Sequence, residues 1–126
     1  MKKIIYTKNA PEPIGPYSQA VQAGNFVFVS GQVGKDPVSG AMKTENIKAE
    51  ATQVMNNVKN ILETAGLTTA NIVKTTIFLS NMDDFAQVNE VYSSFFTGNY
   101  PARETVQVSR LPINANIEVS VIAVVE

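Results

Sequence analysis

The chain contains neither cysteine nor histidine. Without cysteine it can form no disulfide, thiolate nucleophile or zinc–cysteine site, and without histidine it has no imidazole base or imidazole metal ligand. These absences exclude the common catalytic triads. Any catalysis must therefore use other side chains.

Long apolar runs and clusters of positive charge are missing too. The longest apolar stretch, IEVSVIAVV, is far shorter than the roughly 18 residues of a membrane span, and the N-terminal MKKIIYTKNAPEP lacks the apolar core of a signal peptide. Ten Lys and Arg against eleven Asp and Glu give a net charge of -1, without the basic patch typical of nucleic-acid binding. We predict a cytoplasmic protein with no nucleic-acid or membrane partner.

A chain of 126 residues, 44% of them hydrophobic, suits one domain over residues 1–126. Strand patterns are predicted in KKIIY, in a hairpin formed by YSQAVQAGNFVFVSGQ and ended by Ser30 and Gly31, in IVKTTIFLS, and around TVQVS and IEVSVIAVV. Their order with two helical segments predicts an α+β fold, one sheet with both helices on one face. Because several strands are apolar on both faces, we expect the other face to be covered in a homo-oligomer, whose grooves could bind ligands.

The two helices are predicted from a period of 3.6 residues. The first runs from about Asn46 to Gly66, and the second is capped by Asp83 or Asp84. The first has an apolar stripe (Ile47, Ala51, Val54, Val58, Ile61, Leu62, Ala65) and a polar face (Lys48, Glu50, Gln53, Asn57, Lys59). The second has an apolar side formed by Phe85, Val88, Val91, Tyr92, Phe95 and Phe96.

Arg103 lies behind Tyr-Pro-Ala at the start of a strand. One interpretation is an ordinary strand-end arginine that pairs with a surface carboxylate. The other is an anchor for a substrate carboxylate, because the guanidinium donates two parallel hydrogen bonds to such a group.

Glu118 is the one charged residue inside the apolar final strand. It either protects a sheet edge or positions a water and transfers a proton. If the last two strands formed a hairpin, Glu118 would lie about 13–20 Å from Arg103 along the strand, at roughly 3.3 Å per residue. The two residues then share a site only if the last strand pairs elsewhere or the groove is built from two chains.

Four further residues have both a structural and a functional interpretation. Tyr17 either packs or offers a phenol to a ligand, and Ser30 and Gly31 either form a plain turn or let a ligand approach the backbone. Asn89 lies one position beyond the apolar stripe of its helix and is either solvated or directed at a ligand.

The motifs GPYSQAV, FVSGQ, VNEVYSSFF and YPAR followed by IEV resemble, in this order, the RidA/YjgF (L-PSP) family of enamine/imine deaminases. The resemblance implies a chorismate-mutase-like α+β fold, a homotrimer with sites between subunits, and hydrolysis of intermediates such as 2-aminoacrylate to a 2-keto acid and ammonia. It implies no cofactor and no metal. Arg103 would hold the carboxylate and Glu118 the attacking water. The cleft would be lined by Tyr17, Ser30, Gly31, Asn89 and Thr105.

Three positions depart from the family pattern. Many members have a small residue and then a cysteine after the arginine, where this chain has Glu104 and Thr105, and Val119 follows the glutamate in place of Met or Ile. Thr105 can substitute if the contact is through the backbone, and Glu104 should point away from Arg103. Two other functions stay open: a non-catalytic binder of small carboxylates that regulates another protein, and an endoribonuclease.

Overall fold

The computed structural model describes all 126 residues and contains one mixed six-stranded sheet with two α-helices on one face. The strands are β1 (Lys3–Ile5), β2 (Ala20–Ala23), β3 (Phe26–Gln32), β4 (Ile72–Leu79), β5 (Ala102–Gln107) and β6 (Ile117–Val124), and the helices are α1 (Ile47–Thr64) and α2 (Phe85–Ser93). The predicted α+β fold is confirmed. No helix combines the length and the apolar character needed to cross a bilayer.

The hairpin of β2 and β3 forms as predicted. Gly24 has φ +60°, a conformation that glycine adopts without strain, and Ala23 pairs with Phe26 across the turn. Ser30 and Gly31 do not end β3, however. The strand continues to Gln32, and its register to β6 shifts between Val29 and Gln32, as in a β-bulge.

The last two strands do not form a hairpin. The sheet order is β1-β2-β3-β6-β4-β5, so β6 is central and β5 is an edge strand. β5 pairs in parallel with β4, and the connection between them contains α2, because parallel strands need a crossover. All other strand pairs are antiparallel.

The first helix has the predicted ends but not the predicted polar face. Asn46 caps it by accepting a hydrogen bond from the Ala49 amide at 2.8 Å, and Gly66 follows it with φ +77°. Glu50 and Asn57, expected in solvent, are fully buried, and that expectation was wrong. They lie four residues before Val54 and three after it, so the helical period turns them toward the core.

The second helix is shorter than predicted and begins differently. Neither aspartate accepts a capping hydrogen bond; Asn81 instead accepts one from the Asp83 amide and starts a 3₁₀ turn that leads into α2. Val88 and Tyr92 are buried as expected, while Phe85 stays 39% exposed.

The sheet face away from the helices is uncovered and carries several exposed apolar side chains. In β6 the residues Ile117, Val119, Val121 and Ala123 are buried under the helices, so the alternate residues face the other side. By register, that side carries Ile4, Phe26, Phe28 and Val106, all 40–53% exposed. We call it the open face, and its exposed apolar groups make it a candidate interaction surface.

Candidate functional site

Arg103 lies on β5 at the level of Thr75 in β4, on the helix side of the sheet. Its guanidinium carbon is 5.0 Å from the centre of the Tyr92 ring and 5.7 Å from that of Phe85, within the range of cation–π attraction. The chain offers this guanidinium no carboxylate: its three ion pairs are Lys43–Asp36, Lys48–Glu90 and Lys74–Glu104. Arg103 is therefore held by aromatic rings and free to bind an anion.

The residue after Arg103 takes no part in this arrangement. Glu104 points to the open face, as expected, and accepts from Lys74 at 3.2 Å and from the Thr76 hydroxyl. The hydrogen bond from Thr76 and, to a smaller extent, that from Lys74 lower the pKa of Glu104. The negative charge of Glu104 is thus matched on the far side of the sheet.

A hollow lies beside Arg103 between α2 and β5. Its lining is formed by Asn89, Tyr92, Ser93, Tyr100, Pro101 and Arg103, so the structure brings Asn89 and Arg103 together. The Tyr92 hydroxyl donates to the Thr75 hydroxyl at 2.9 Å, which fixes the ring under the guanidinium. Burial raises the pKa of Tyr92 by more than the Thr75 bond and the Arg103 charge lower it, and this net rise favours the neutral phenol.

Thr105 lies two residues beyond Arg103 on the same side of β5. Its hydroxyl oxygen is buried and has no hydrogen-bond partner in the chain. Buried polar atoms are nearly always paired, so an unpaired one indicates a place where a ligand or water completes the site.

Glu118 lies on the opposite face. It is level with Phe78 in β4, and its side chain crosses over Gly31 in β3. A Cβ at Gly31 would lie only 2.7 Å from the carboxyl carbon of Glu118, so any side chain at this position would displace the Glu118 carboxylate. The carboxylate has no ion-pair partner, and partial burial raises its pKa.

Tyr17 and Ser30 belong to this second group. The Ser30 hydroxyl donates to the Ser18 carbonyl at 2.6 Å, which ties β3 to the segment before β2. Tyr17 is 49% exposed and shares a small cavity with Gly31. The lining of that cavity also includes Ile14, Val33 and Ile113.

The structure therefore divides the predicted site residues into two groups. Arg103, Asn89 and Thr105 lie on the helix side, and Glu118 lies with Gly31 on the open face. Arg103 is level with Val121 of β6, three residues from Glu118, and β4 separates the two strands. That is about 10 Å along the strands and about 10 Å across them. Within one chain they share no site.

Sequence reasoning missed the aromatic support of Arg103. Phe85 and Tyr92 were predicted on the apolar side of the second helix, and Tyr92 is buried there, but their spacing of seven residues also places both rings against the guanidinium. It also missed Thr75, Ile113 and the two buried polar residues of α1. No local signal distinguished these, because each is defined by a partner distant in sequence.

Comparison with known proteins decides the family. The sequence model described as Endoribonuclease L-PSP matches residues 7–125. The chain belongs to the L-PSP family. Within the L-PSP family, a RutC family protein of Pyrococcus horikoshii is 50% identical over 123 residues, covering 98% of both chains. The 2-iminobutanoate/2-iminopropanoate deaminase of Salmonella typhimurium is 49% identical over 127 residues, again with 98% of each covered.

A solved structure agrees with the fold. The crystal structure of Escherichia coli TdcF with bound serine superposes with a TM-score of 0.95 at 42% identity, covering 98% of this chain and 99% of that one. The family resemblance seen in the sequence motifs is thereby confirmed.

Proposed function

We propose that the protein hydrolyses small 2-imino and 2-enamino acids, of the 2-aminoacrylate type, to 2-keto acids and ammonia. The observation that carries this proposal is Arg103, a guanidinium supported by two rings and left without a carboxylate in its own chain. A bidentate substrate carboxylate would complete its hydrogen bonding. The unpaired hydroxyl of Thr105 and the nearby Asn89 offer further polar contacts.

Glu118 is assigned the water and proton chemistry. Water adds to the carbon of the protonated imine while the carboxylate accepts one of its protons, giving a carbinolamine. That proton then passes to the amino nitrogen, and as the carbon–nitrogen bond breaks the carbinolamine hydroxyl returns its remaining proton to the carboxylate and thence to the released ammonia, leaving the 2-keto acid. An enamine is first protonated on carbon and then follows the same route. The raised pKa of Glu118 makes it a better proton acceptor when ionised, and no histidine or thiolate is needed.

The complete site is proposed to form between copies in a homotrimer. Arg103 and Glu118 face opposite sides of one sheet, so one substrate can reach both only if they come from different chains. The exposed apolar residues of the open face supply a surface on which copies can pack. No other partner is proposed.

Two relatives support this assignment. A 49%-identical protein is named for its action on 2-iminobutanoate and 2-iminopropanoate, and the TdcF structure holds serine, a small molecule with a carboxylate. Both names describe small amino-acid-like molecules, the size that the hollow beside Arg103 suits.

The direct test generates 2-aminoacrylate in situ with a pyridoxal-phosphate dehydratase and follows its disappearance. We expect acceleration by the wild-type protein and about 100-fold less by Arg103→Ala. If wild type does not accelerate the reaction, the deaminase proposal fails for this substrate.

The alternatives give different results. A non-catalytic carboxylate binder would bind 2-keto acids through Arg103 but hydrolyse nothing, and Glu118→Gln would leave its binding unchanged. The family description favours a ribonuclease as the third possibility. The net charge of -1 and the lack of histidine argue against a ribonuclease. RNA cleavage by the purified protein that disappears with Arg103→Ala would support one.

A further inference from the structure

Two buried polar residues of α1 hold the loops around the small cavity next to Glu118. The Glu50 carboxylate is fully buried and accepts two hydrogen bonds from Asn116, one from the backbone amide and one from the side chain, each at 2.8 Å. Asn57 donates to the carbonyls of Val33 and Lys35 at 3.0 Å. The sequence pattern gave these residues no function, and the proposed reaction does not use them.

The loop that Glu50 holds is conformationally strained. Ile113 has φ 49° and ψ 33°, and Asn114 has φ 54°. Asparagine tolerates the left-handed region, but a β-branched residue there is a true outlier. Asn116 is fixed on its other side by Ser80, whose amide donates to the Asn116 carbonyl at 3.0 Å. Such strain persists only where the surroundings impose it, and it often marks a functional position.

The strained conformation places Ile113 in the wall of the cavity. The cavity has a volume of about 40 Å³, and Ile113 lines it together with Ile14, Tyr17 and Val33. Gly31 forms another part of its wall and touches the Glu118 carboxylate. Glu118 does not itself line the cavity, so Gly31 is the link between the cavity and the group proposed to handle water. Its charged lining residues are Glu12, which accepts from the Tyr6 hydroxyl, and Lys35.

We propose that Ile113 sets the side-chain specificity of the site and that Glu50 is its positioning residue. This proposal rests on the proposed function. The narrow, mainly apolar cavity accepts a short alkyl side chain of the substrate, and Ile113 blocks longer or branched ones. Glu50 acts through Asn116 by keeping the loop in the conformation that places Ile113 there.

The first test is Ile113→Gly. Glycine adopts the left-handed conformation without strain, so the loop keeps its path while the blocking side chain is removed. We measure kcat/KM for two imines generated in situ by an amino-acid oxidase, 2-iminobutanoate and the branched 4-methyl-2-iminopentanoate. The ratio of branched to short substrate should rise by about tenfold or more, the range expected for a change in pocket size. Thermal stability should be equal or higher. An unchanged ratio overturns the proposal.

The second test isolates Glu50. Glu50→Gln places an amide donor against the donors of Asn116, so the loop loosens and the ratio should shift in the same direction as in Ile113→Gly. In the double variant Glu50→Gln with Ile113→Gly, the ratio should equal that of Ile113→Gly alone, because Glu50 acts only through Ile113. An additive change in the double variant overturns the role of Glu50.

A control separates positioning from general loosening. Val58→Ala removes two buried methyl groups from the same helix. Val58 forms none of the hydrogen bonds by which Glu50 and Asn57 hold the loops. This substitution should lower the melting temperature and leave the ratio unchanged; an equal shift in the ratio contradicts the positioning role. If Glu50→Gln does not fold, the Ile113→Gly result decides the specificity proposal.

Binding distinguishes failure of this inference from failure of the proposed function. Calorimetry with 2-oxobutanoate and 4-methyl-2-oxopentanoate measures the same preference without turnover. A changed binding ratio in Ile113→Gly without any hydrolysis by wild type supports the specificity role and refutes the deaminase. Hydrolysis with unchanged ratios refutes the specificity role alone. Absence of both binding and hydrolysis overturns both.

Discussion

The Arg103 guanidinium has hydrogen-bond donors that no carboxylate of the chain occupies, and its position is fixed. The Tyr92 and Phe85 rings hold the guanidinium, so little side-chain freedom remains to be lost when a carboxylate binds. Lysine would keep the charge but could neither form two parallel hydrogen bonds nor stack equally well. We therefore expect Arg103→Lys to raise KM about tenfold or more and Arg103→Ala to lower kcat/KM by about 100-fold, from roughly 1.5–3 kcal/mol per charged hydrogen bond.

Steady-state kinetics on an in situ imine checks this order of effects. The control is Lys59→Ala, which removes an exposed cation from α1 and should leave kcat/KM unchanged. Equal kinetics for arginine and lysine would show that charge alone matters at this position.

Glu118 should give the reaction its pH dependence. Partial burial raises its pKa, and the chain has no histidine to titrate in the same range. The ionised form accepts the proton, so kcat/KM should fall as the pH is lowered through this raised pKa. Glu118→Gln should lose most activity and the inflection with it, whereas the exposed Glu63→Gln on α1 should keep both. An unchanged profile in Glu118→Gln would remove Glu118 from the mechanism.

The same rise in the pKa of Glu118 predicts that the ionised side chain, useful for the reaction, destabilises the folded protein. Because the pKa of Glu118 is higher in the folded than in the unfolded protein, the folded state binds the proton more tightly. Stability is therefore lost as the pH rises from the unfolded-state pKa through the folded-state pKa. Glu118→Gln should melt at a higher temperature than wild type at pH 7, and the difference should shrink on acidification.

At the scale of elements, α2 serves as the platform for the site. Tyr92→Phe keeps the ring but leaves the buried Thr75 hydroxyl without the hydrogen bond from Tyr92, at a cost of about 1–2 kcal/mol. Tyr92→Leu removes the ring face as well. We expect denaturant unfolding to show a loss for both variants, but a clear rise in KM only for leucine. A KM that rises equally in both would assign the effect to the hydrogen bond and not to the ring.

The elements themselves were predictable from local sequence. Alternation identified the strands, the 3.6-residue period identified α1, and Gly24 and Gly66 marked a turn and a helix end. Strand order was not predictable, because the pairing of β6 with β3 and β4 depends on contacts that no local pattern encodes. Glu50 shows the same limit: it was assigned to solvent, and its partner Asn116 lies 66 residues away. The motifs identified the family and supplied the predicted site residues, yet only the register placed Arg103 and Glu118 on opposite faces.

At the scale of the whole molecule, the open face should control assembly. Phe28 is 45% exposed in one chain, so an aspartate there costs the isolated fold little but opposes burial between copies. We expect wild type to be a trimer by light scattering at micromolar concentration and Phe28→Asp to be a monomer without deaminase activity. Phe28→Leu is the matched control and should remain a trimer. A monomeric wild type would remove the proposed inter-chain site.

The opposite faces of Arg103 and Glu118 lead to a test by complementation. If every site takes Arg103 from one chain and Glu118 from the next, neither Arg103→Ala nor Glu118→Gln alone has a complete site. A trimer that mixes them contains interfaces where both residues are intact. Random assembly of equal amounts gives about one quarter of the sites complete, so mixing after reversible dissociation should restore about one quarter of wild-type activity. If exchange of subunits is shown by mass and no activity returns, the two residues do not act together across an interface.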